Sequence, residues 1–271
     1  MTPDAQNPAP PVPRDAATVV LVRDGADGIE VFLQRRVQQM AFAGGMTVFP
    51  GGGVDPRDGD ADLAWEGPAA SWWAERFGAA ERDARQLVCA AVRETFEECG
   101  VLLVTGSDGA APDAAALAPA RERLEAKEIS LAQFLRDEDL VLRADLLRPL
   151  AHWITPKNEK RRYDTRFFLA ALPDGQRADD RTSEVEEAGW RTAAQALADF
   201  SAGRCFLLPP TWSQLRAVAE HRTVADLLAV EPVIEPVEPE LPLGGAIDSL
   251  RFAQAAEYRA AMPSTTPPPV L

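Results

Sequence analysis

Arg93-Glu94-Thr95-Phe96-Glu97-Glu98-Cys99-Gly100-Val101 is the stretch whose reading decides the fold. At helical spacing Glu94, Glu97 and Glu98 stand at i, i+3 and i+4, so their carboxylates share one face. Like charges so placed repel by about 0.2–0.5 kcal/mol per pair in water. Such a face is either salt-bridged, with Arg93 reaching Glu97 one turn on, or occupied by a cation. Hard divalent ions that take oxygen ligands, magnesium above all, suit it. Leu87, Val88, Ala91, Val92, Thr95 and Phe96 form a separate apolar face and carry the predicted helix back to about Ala80. Gly100 follows the last turn, where a residue with positive φ commonly ends a helix.

Working upstream, Val48-Phe49-Pro50-Gly51-Gly52-Gly53 reads as a short apolar strand running into glycines, where backbone can approach a ligand or metal closely. Before it, Val19–Val22 and Ile29–Val37 read as strands joined by a turn over Gly25–Gly28, a hairpin, with Met46–Phe49 as a third short strand.

These residues resemble the box of the Nudix hydrolases, Gly-x5-Glu-x7-Arg-Glu-U-x-Glu-Glu-x-Gly-U with U a bulky apolar residue. Arg93, Glu94, Thr95, Glu97, Glu98, Gly100 and Val101 follow its second half, Thr95 being a weak fit at a U position. The first half is broken. From Gly52 to Arg93 is 41 positions where the pattern allows 14, an insertion of 27 residues. Asp58 falls where the first Glu is expected when counting from Gly52, and Arg85 when counting back from Arg93.

The split box, then Trp153-Ile154-Thr155-Pro156, Arg162-Tyr163-Asp164-Thr165, Glu184-Val185, Trp190 and Leu208-Pro209-Pro210, is similar to the subgroup that includes the mammalian peroxisomal coenzyme A and acyl-CoA diphosphatases. The resemblance implies an α/β fold, a Nudix α/β/α sandwich with a mixed β-sheet and helical insertions. It implies Mg2+ or Mn2+ as cofactor, held by Glu94, Glu97, Glu98 and a carbonyl near Gly51 or Gly52, with Arg93 orienting Glu97. A general base from a later loop is implied as well, Glu184 in preference to Glu187. The expected reaction is hydrolysis of CoA or acyl-CoA to 3′,5′-ADP and (acyl-)4′-phosphopantetheine. ADP-ribose, NADH or another nucleotide is the alternative substrate, and an inactive nucleotide-sensing module is the alternative from a different class.

Composition bounds the partners. With a formal charge of −14 over 271 residues, the chain is poorly suited to nonspecific contact with nucleic acid or anionic membrane. A small anionic nucleotide would instead meet local cations. Lys157, Lys160, Arg161 and Arg162 are the densest basic cluster, and beside Trp153 and Tyr163 they could hold phosphates and stack a base. The same cluster also suits a solvated hairpin loop. Arg35 is a further candidate, and Arg36 is similar, strand alternation turning one of the two away. Cys89, Cys99 and Cys205 carry no metal or redox spacing and read as free thiols of a reducing compartment, the cytoplasm. No apolar run reaches ~18 residues. The proline-rich start is not a secretory signal, and the closing Pro-Val-Leu is not a peroxisomal address.

The expected organisation is a disordered proline-rich arm over 1–15, a catalytic domain over 16–230 with insertions near 54–80 and 105–148, and a proline-rich C-terminal extension over 231–271. A homodimer is left open. Trp65, Trp72 and Trp73 read as core of the first insertion rather than as an acyl pocket. Arg121–Leu135 reads as one surface helix. Ala151–Thr155, Arg166–Leu172 and Glu187–Arg191 read as strands, and Ala193–Ala198 and Thr211–His221 as helices. His152 and His221 have no partner spacing and are assigned to nothing.

Overall fold

The expected hairpin opens the fold in a computed structural model that describes residues 9–37, 43–59, 63–181 and 185–263. Strands β1 (Arg14–Gly25) and β2 (Gly28–Arg36) pair antiparallel, with Gly25 opposite Gly28. β1 starts two residues before the expected Ala16, because Arg14 and Asp15 already pair with a later strand. Two short strands follow, β3 (Thr47–Val48) on β2 and β4 (Gly51–Gly53) on β1.

The first inserted segment holds β5 (Trp65–Glu66) and α1 (Ala70–Phe77), and the glutamate helix is α2 (Glu81–Cys99). Then come β6 (Val104–Gly106), α3 (Ala118–Glu125), α4 (Leu131–Asp137) and β7 (Leu140–Arg143). The single helix read over Arg121–Leu135 is thus two. Lys127 turns to φ 57 between them, and the Ser130 side chain caps α4 by accepting the Gln133 N–H at 3.1 Å. The two inserted segments hold each other: β5 pairs with β7 and β7 with β6 in a small three-stranded sheet.

The main sheet resumes with β8 (Leu147–Ile154), β9 (Tyr163–Ala171) and β10 (Val185–Thr192). A Thr192–Gln195 capping box starts α5 (Ala193–Ser201), and two prolines start α6 (Pro209–Ala219). Last come α7 (Val224–Leu228), β11 (Pro236–Val237) and α8 (Ala255–Ala261); the extended tail read over Glu231–Pro242 holds β11, and the two helices were not foreseen. Among the described residues the sheet order is β10-β2-β1-β9-β8-β11, with β1–β9 and β8–β11 parallel and the other pairs antiparallel.

Strand alternation builds two cores. Ala17, Val19, Leu21, Phe168 and Ala170 face α1 and α2, while Val20, Val22, Phe167 and Leu169 face α5, α6 and α8. The result is the expected mixed sheet between helical layers. Trp73 is fully buried against Phe77 and Phe168, so it is core, as read. The C-terminal segment is also built in. Tyr258 is buried and its hydroxyl donates to the Leu207 carbonyl at 2.7 Å, burial worth on the order of 2 kcal/mol.

Candidate functional site

Helix α2 brings the glutamates to the edge of the sheet, and β4 meets them there. The helix ends at Gly100, φ 69, whose N–H bonds the Phe96 carbonyl. The φ of Gly100 strains any residue with a Cβ, and a Cβ there would lie 2.8 Å from Arg121 Nη1, which would have to shift. Arg121 Nε donates to the Glu97 carbonyl at 3.0 Å while its Nη1 grips Asp179, anchoring this end of the helix. The backbone N–H of Gly51 donates to Glu98 Oε2 at 2.8 Å. Gly52 lies so close to Glu94 that a Cβ would stand 2.5 Å from Oε1, which is why the strand carries glycine here.

Arg93 is the hub. Its Nε and Nη2 donate to the two oxygens of Asp58 at 3.0 and 2.9 Å, Nη1 to Glu94 at 2.7 Å and Glu97 at 3.0 Å, and Nη2 also to the Gly53 carbonyl at 3.0 Å. The expected orienting role toward Glu97 is therefore one of several. The ambiguity at the first Glu of the box also resolves. Asp58, 2% exposed, is the carboxylate that pairs with Arg93, and it sits on the short turn Pro56–Gly59 rather than on the helix. Asp55 N–H donates to Asp58 at 2.8 Å, Arg57 chelates Asp55, and Arg57 Nη1 reaches the Lys127 carbonyl at 3.0 Å. Both inserted segments thus brace the hub.

Burial opposes the charge of Arg93, but its bonds to Asp58 and the nearby glutamates outweigh that and hold it above the ordinary guanidinium range. Burial also lifts the Glu97 carboxyl, against the pull of Arg93 and helped by Glu94, from 4.5 to about 7. In the metal-free protein the folded state therefore holds this proton where the unfolded chain has lost it. The contribution of this group to stability is largest below pH 4.5 and is lost as pH rises through about 7. Glu97→Gln cannot titrate. Urea unfolding in EDTA at pH 5 and pH 8 is expected to show a smaller loss for the variant than for the parent, and equal losses would count against this assignment.

A cavity of about 680 Å³ opens onto these carboxylates. Arg161 and Tyr163 line it as expected, but the other predicted cations do not. Arg162 is buried, bonded to Glu238 at 2.5 Å and to the Pro11 and Thr155 carbonyls, a fastening between the arm, the hairpin loop and the C-terminal segment. Lys157 is exposed and pairs with Glu238 at 3.6 Å. Arg35 pairs with Glu186 at 3.7 Å outside the cavity, and Arg36 is the arginine of that strand that lines it. Glu187 is exposed and pairs with Arg191. Glu184 lies outside the described residues.

Arg14, Thr18, Glu125 and Lys127 also line the cavity and were not singled out from sequence. Arg14 and Thr18 were legible in principle, since alternation along β1 puts Arg14, Ala16 and Thr18 on one face. His152 does have a partner: its Nε2 lies 2.5 Å from Asp164 Oδ1, and Arg166 joins the same carboxylate.

Among the described residues no three His, Cys, Asp or Glu side chains are gathered into a ready metal cage. Glu94 and Glu97 lean on Arg93, and Glu98 on the Gly51 N–H. The donor chemistry nevertheless fits a hard cation: Asp58, Glu94 and Glu97 crowd around one guanidinium, and Glu98 lines the same cavity against the glycine strand.

The family model described as the NUDT19 Nudix domain matches residues 76–218, more than half of the chain. A crystal structure of a Nudix hydrolase from Alicyclobacillus acidocaldarius is 30% identical, with a TM-score of 0.67, covering 82% of this chain and 98% of that one. Acyl-coenzyme A diphosphatase NUDT19 of Xenopus laevis is 24% identical over 73% of this chain and 62% of its own length. The Homo sapiens protein of the same name is 26% identical over 80% and 68%. The chain thus spans about three fifths of the Xenopus relative. With the interrupted box, its Arg93 hub and this match in hand, the chain belongs to the Nudix family, in the branch described as the NUDT19 Nudix domain.

Proposed function

We propose that the chain is a divalent-metal-dependent diphosphatase acting on CoA and acyl-CoA, giving 3′,5′-ADP and (acyl-)4′-phosphopantetheine. The observation that carries this reading is the meeting of Glu94, Glu97 and Glu98 with the Gly51–Gly53 strand at one cavity, with Arg93 locked beneath them. The substrate follows from the names of the two vertebrate relatives.

Glu94, Glu97, Glu98 and the carbonyl near Gly52 would hold Mg2+ or Mn2+, which when bound withdraws charge from the diphosphate and makes water a better nucleophile. Glu98, whose Oε2 accepts the Gly51 N–H, lines the cavity. Glu184 is the base this reading assigns to the attacking water, with a glutamate of α2 as the alternative. Arg14, Arg36 and Arg161 supply positive charge around the cavity for a phosphorylated nucleotide. The net charge of −14 favours a small molecule over nucleic acid or membrane as partner. Three free thiols, two of them buried, suit the cytoplasm. No helix among the described residues is long and apolar enough to cross a membrane.

The test is a panel of CoA, acyl-CoA, ADP-ribose, NADH and nucleoside triphosphates with Mg2+ or Mn2+, products read by mass spectrometry. CoA or acyl-CoA is expected to turn over fastest. Faster ADP-ribose or NADH cleavage would replace the substrate, and no turnover of any would leave a nucleotide-sensing module.

A further inference from the structure

The cavity is not uniform across the sheet. On the β4 side stand the carboxylates. Crossing β1 and β9 leads to Trp153 on β8, and beyond it to Leu250 of the C-terminal segment. Trp153, Phe167 and Leu250 line the cavity, yet each is nine-tenths or more buried, so they form a deep wall and not a rim. Three strand spacings separate β4 from β8, roughly 14 Å.

The register orders the polar side of the same cavity. Thr18 pairs with Phe167, Ala16 with Thr165 and Arg14 with Tyr163. Along these two strands the lining therefore changes from apolar at Phe167 to basic and aromatic at Arg14 and Tyr163, next to Arg161. A molecule with a charged nucleotide at one end, a diphosphate in the middle and an apolar tail at the other is matched end for end.

Leu250 is held firmly. It is flanked by the backbone pairing of Glu240 with Arg251, at 3.0 and 2.9 Å. Phe252 meets the edge of Trp153 at 5.7 Å between centroids, and Asn158 Nδ2 donates to the Leu241 carbonyl at 2.6 Å. This segment lies outside residues 76–218, the part matched by the family model.

Resting on the CoA reading above, we propose that the wall of Trp153, Phe167 and Leu250 receives the acyl chain of acyl-CoA, with the nucleotide directed toward Arg14, Arg161 and Tyr163, and that Leu250 determines acyl preference. An extended pantetheine arm covers the distance from a diphosphate beside β4 to β8, so the thioester arrives at Trp153 and the chain beyond it meets Leu250. The Trp65–Trp73 cluster has no part in this, being core of the first inserted segment.

The test compares kcat/KM for free CoA and for a series of acyl-CoA thioesters in the full chain, in Leu250→Trp, which fills the wall, and in Leu250→Ala, which deepens it. Circular dichroism melts report folding. Leu250→Trp is expected to lower long-chain acyl-CoA turnover by about tenfold or more relative to free CoA, and Leu250→Ala to move the optimum to longer chains. Should Leu250→Trp fail to fold, the optimum of Leu250→Ala decides. An unchanged acyl-to-free ratio with CoA still hydrolysed overturns this inference alone. Hydrolysis of neither CoA nor acyl-CoA by the parent overturns the CoA reading and this inference with it.

Discussion

Glu98→Gln is expected to lower kcat for the proposed diphosphate hydrolysis by about two to four orders of magnitude, with a melting temperature close to that of the parent. The change keeps the side chain's size, and a Gln oxygen can still accept the Gly51 N–H that Glu98 now accepts at 2.8 Å. What it removes is one negative charge from the cavity lining, the property a hard cation needs from this position. Initial rates under saturating Mg2+ together with a thermal melt separate the two effects. A variant that keeps parental turnover would remove Glu98 from the chemistry.

Asp58→Ala is expected to act on stability before it acts on rate. Asp58 pairs bidentately with the Nε–Nη2 edge of the Arg93 guanidinium, in a place where Arg93's side chain is 9% exposed and Asp58's 1%. Removing one partner of such a buried pair leaves a charge without its counterion, at a cost of about 3–5 kcal/mol. Glu94 and Glu97 also hold Arg93, and they keep the loss from exceeding that range. Adding Arg93→Met to Asp58→Ala strips Glu94 and Glu97 of their shared counterion, so the double variant is expected to be no more stable than the single one. Urea unfolding of the single and double variants checks this. If Asp58→Ala unfolds like the parent, Asp58 is not the anchor of the hub.

The helix and its glutamates were legible because two periodicities coincide there: carboxylates at i, i+3 and i+4, and an apolar stripe from Leu87 to Phe96 that fixes which face turns inward. The β1–β2 hairpin was legible for the same kind of reason, apolar runs flanking Gly25 and Gly28. What sequence could not supply was long-range pairing. Arg162 sits in the basic run that suggests phosphate binding, yet its partners are Glu238 and Pro11, 76 and 151 residues away in the chain. Asp58 likewise matched the box from one end and not the other, and only its 35-residue reach to Arg93 decides the matter. The choice between Arg35 and Arg36 needed the face of β2 that meets the cavity, which depends on partner strands and not on local pattern. The C-terminal segment was unreadable for a related reason. Its alternating prolines mask a two-residue strand and a short helix whose stability comes from docking on β8 and α6.

The central claim is that the α2 carboxylates beside β4 drive metal-dependent cleavage of a CoA diphosphate. It is tested most directly by 31P NMR of CoA incubated with the purified chain, with and without Mg2+, in parallel with Glu98→Gln. The expected result is conversion of the diphosphate resonance into the phosphomonoesters of 3′,5′-ADP and 4′-phosphopantetheine in equal amounts, with almost none in EDTA or in the variant. Cleavage by the variant at the parental rate, or a diphosphate left intact by the parent with Mg2+ present, would contradict the account.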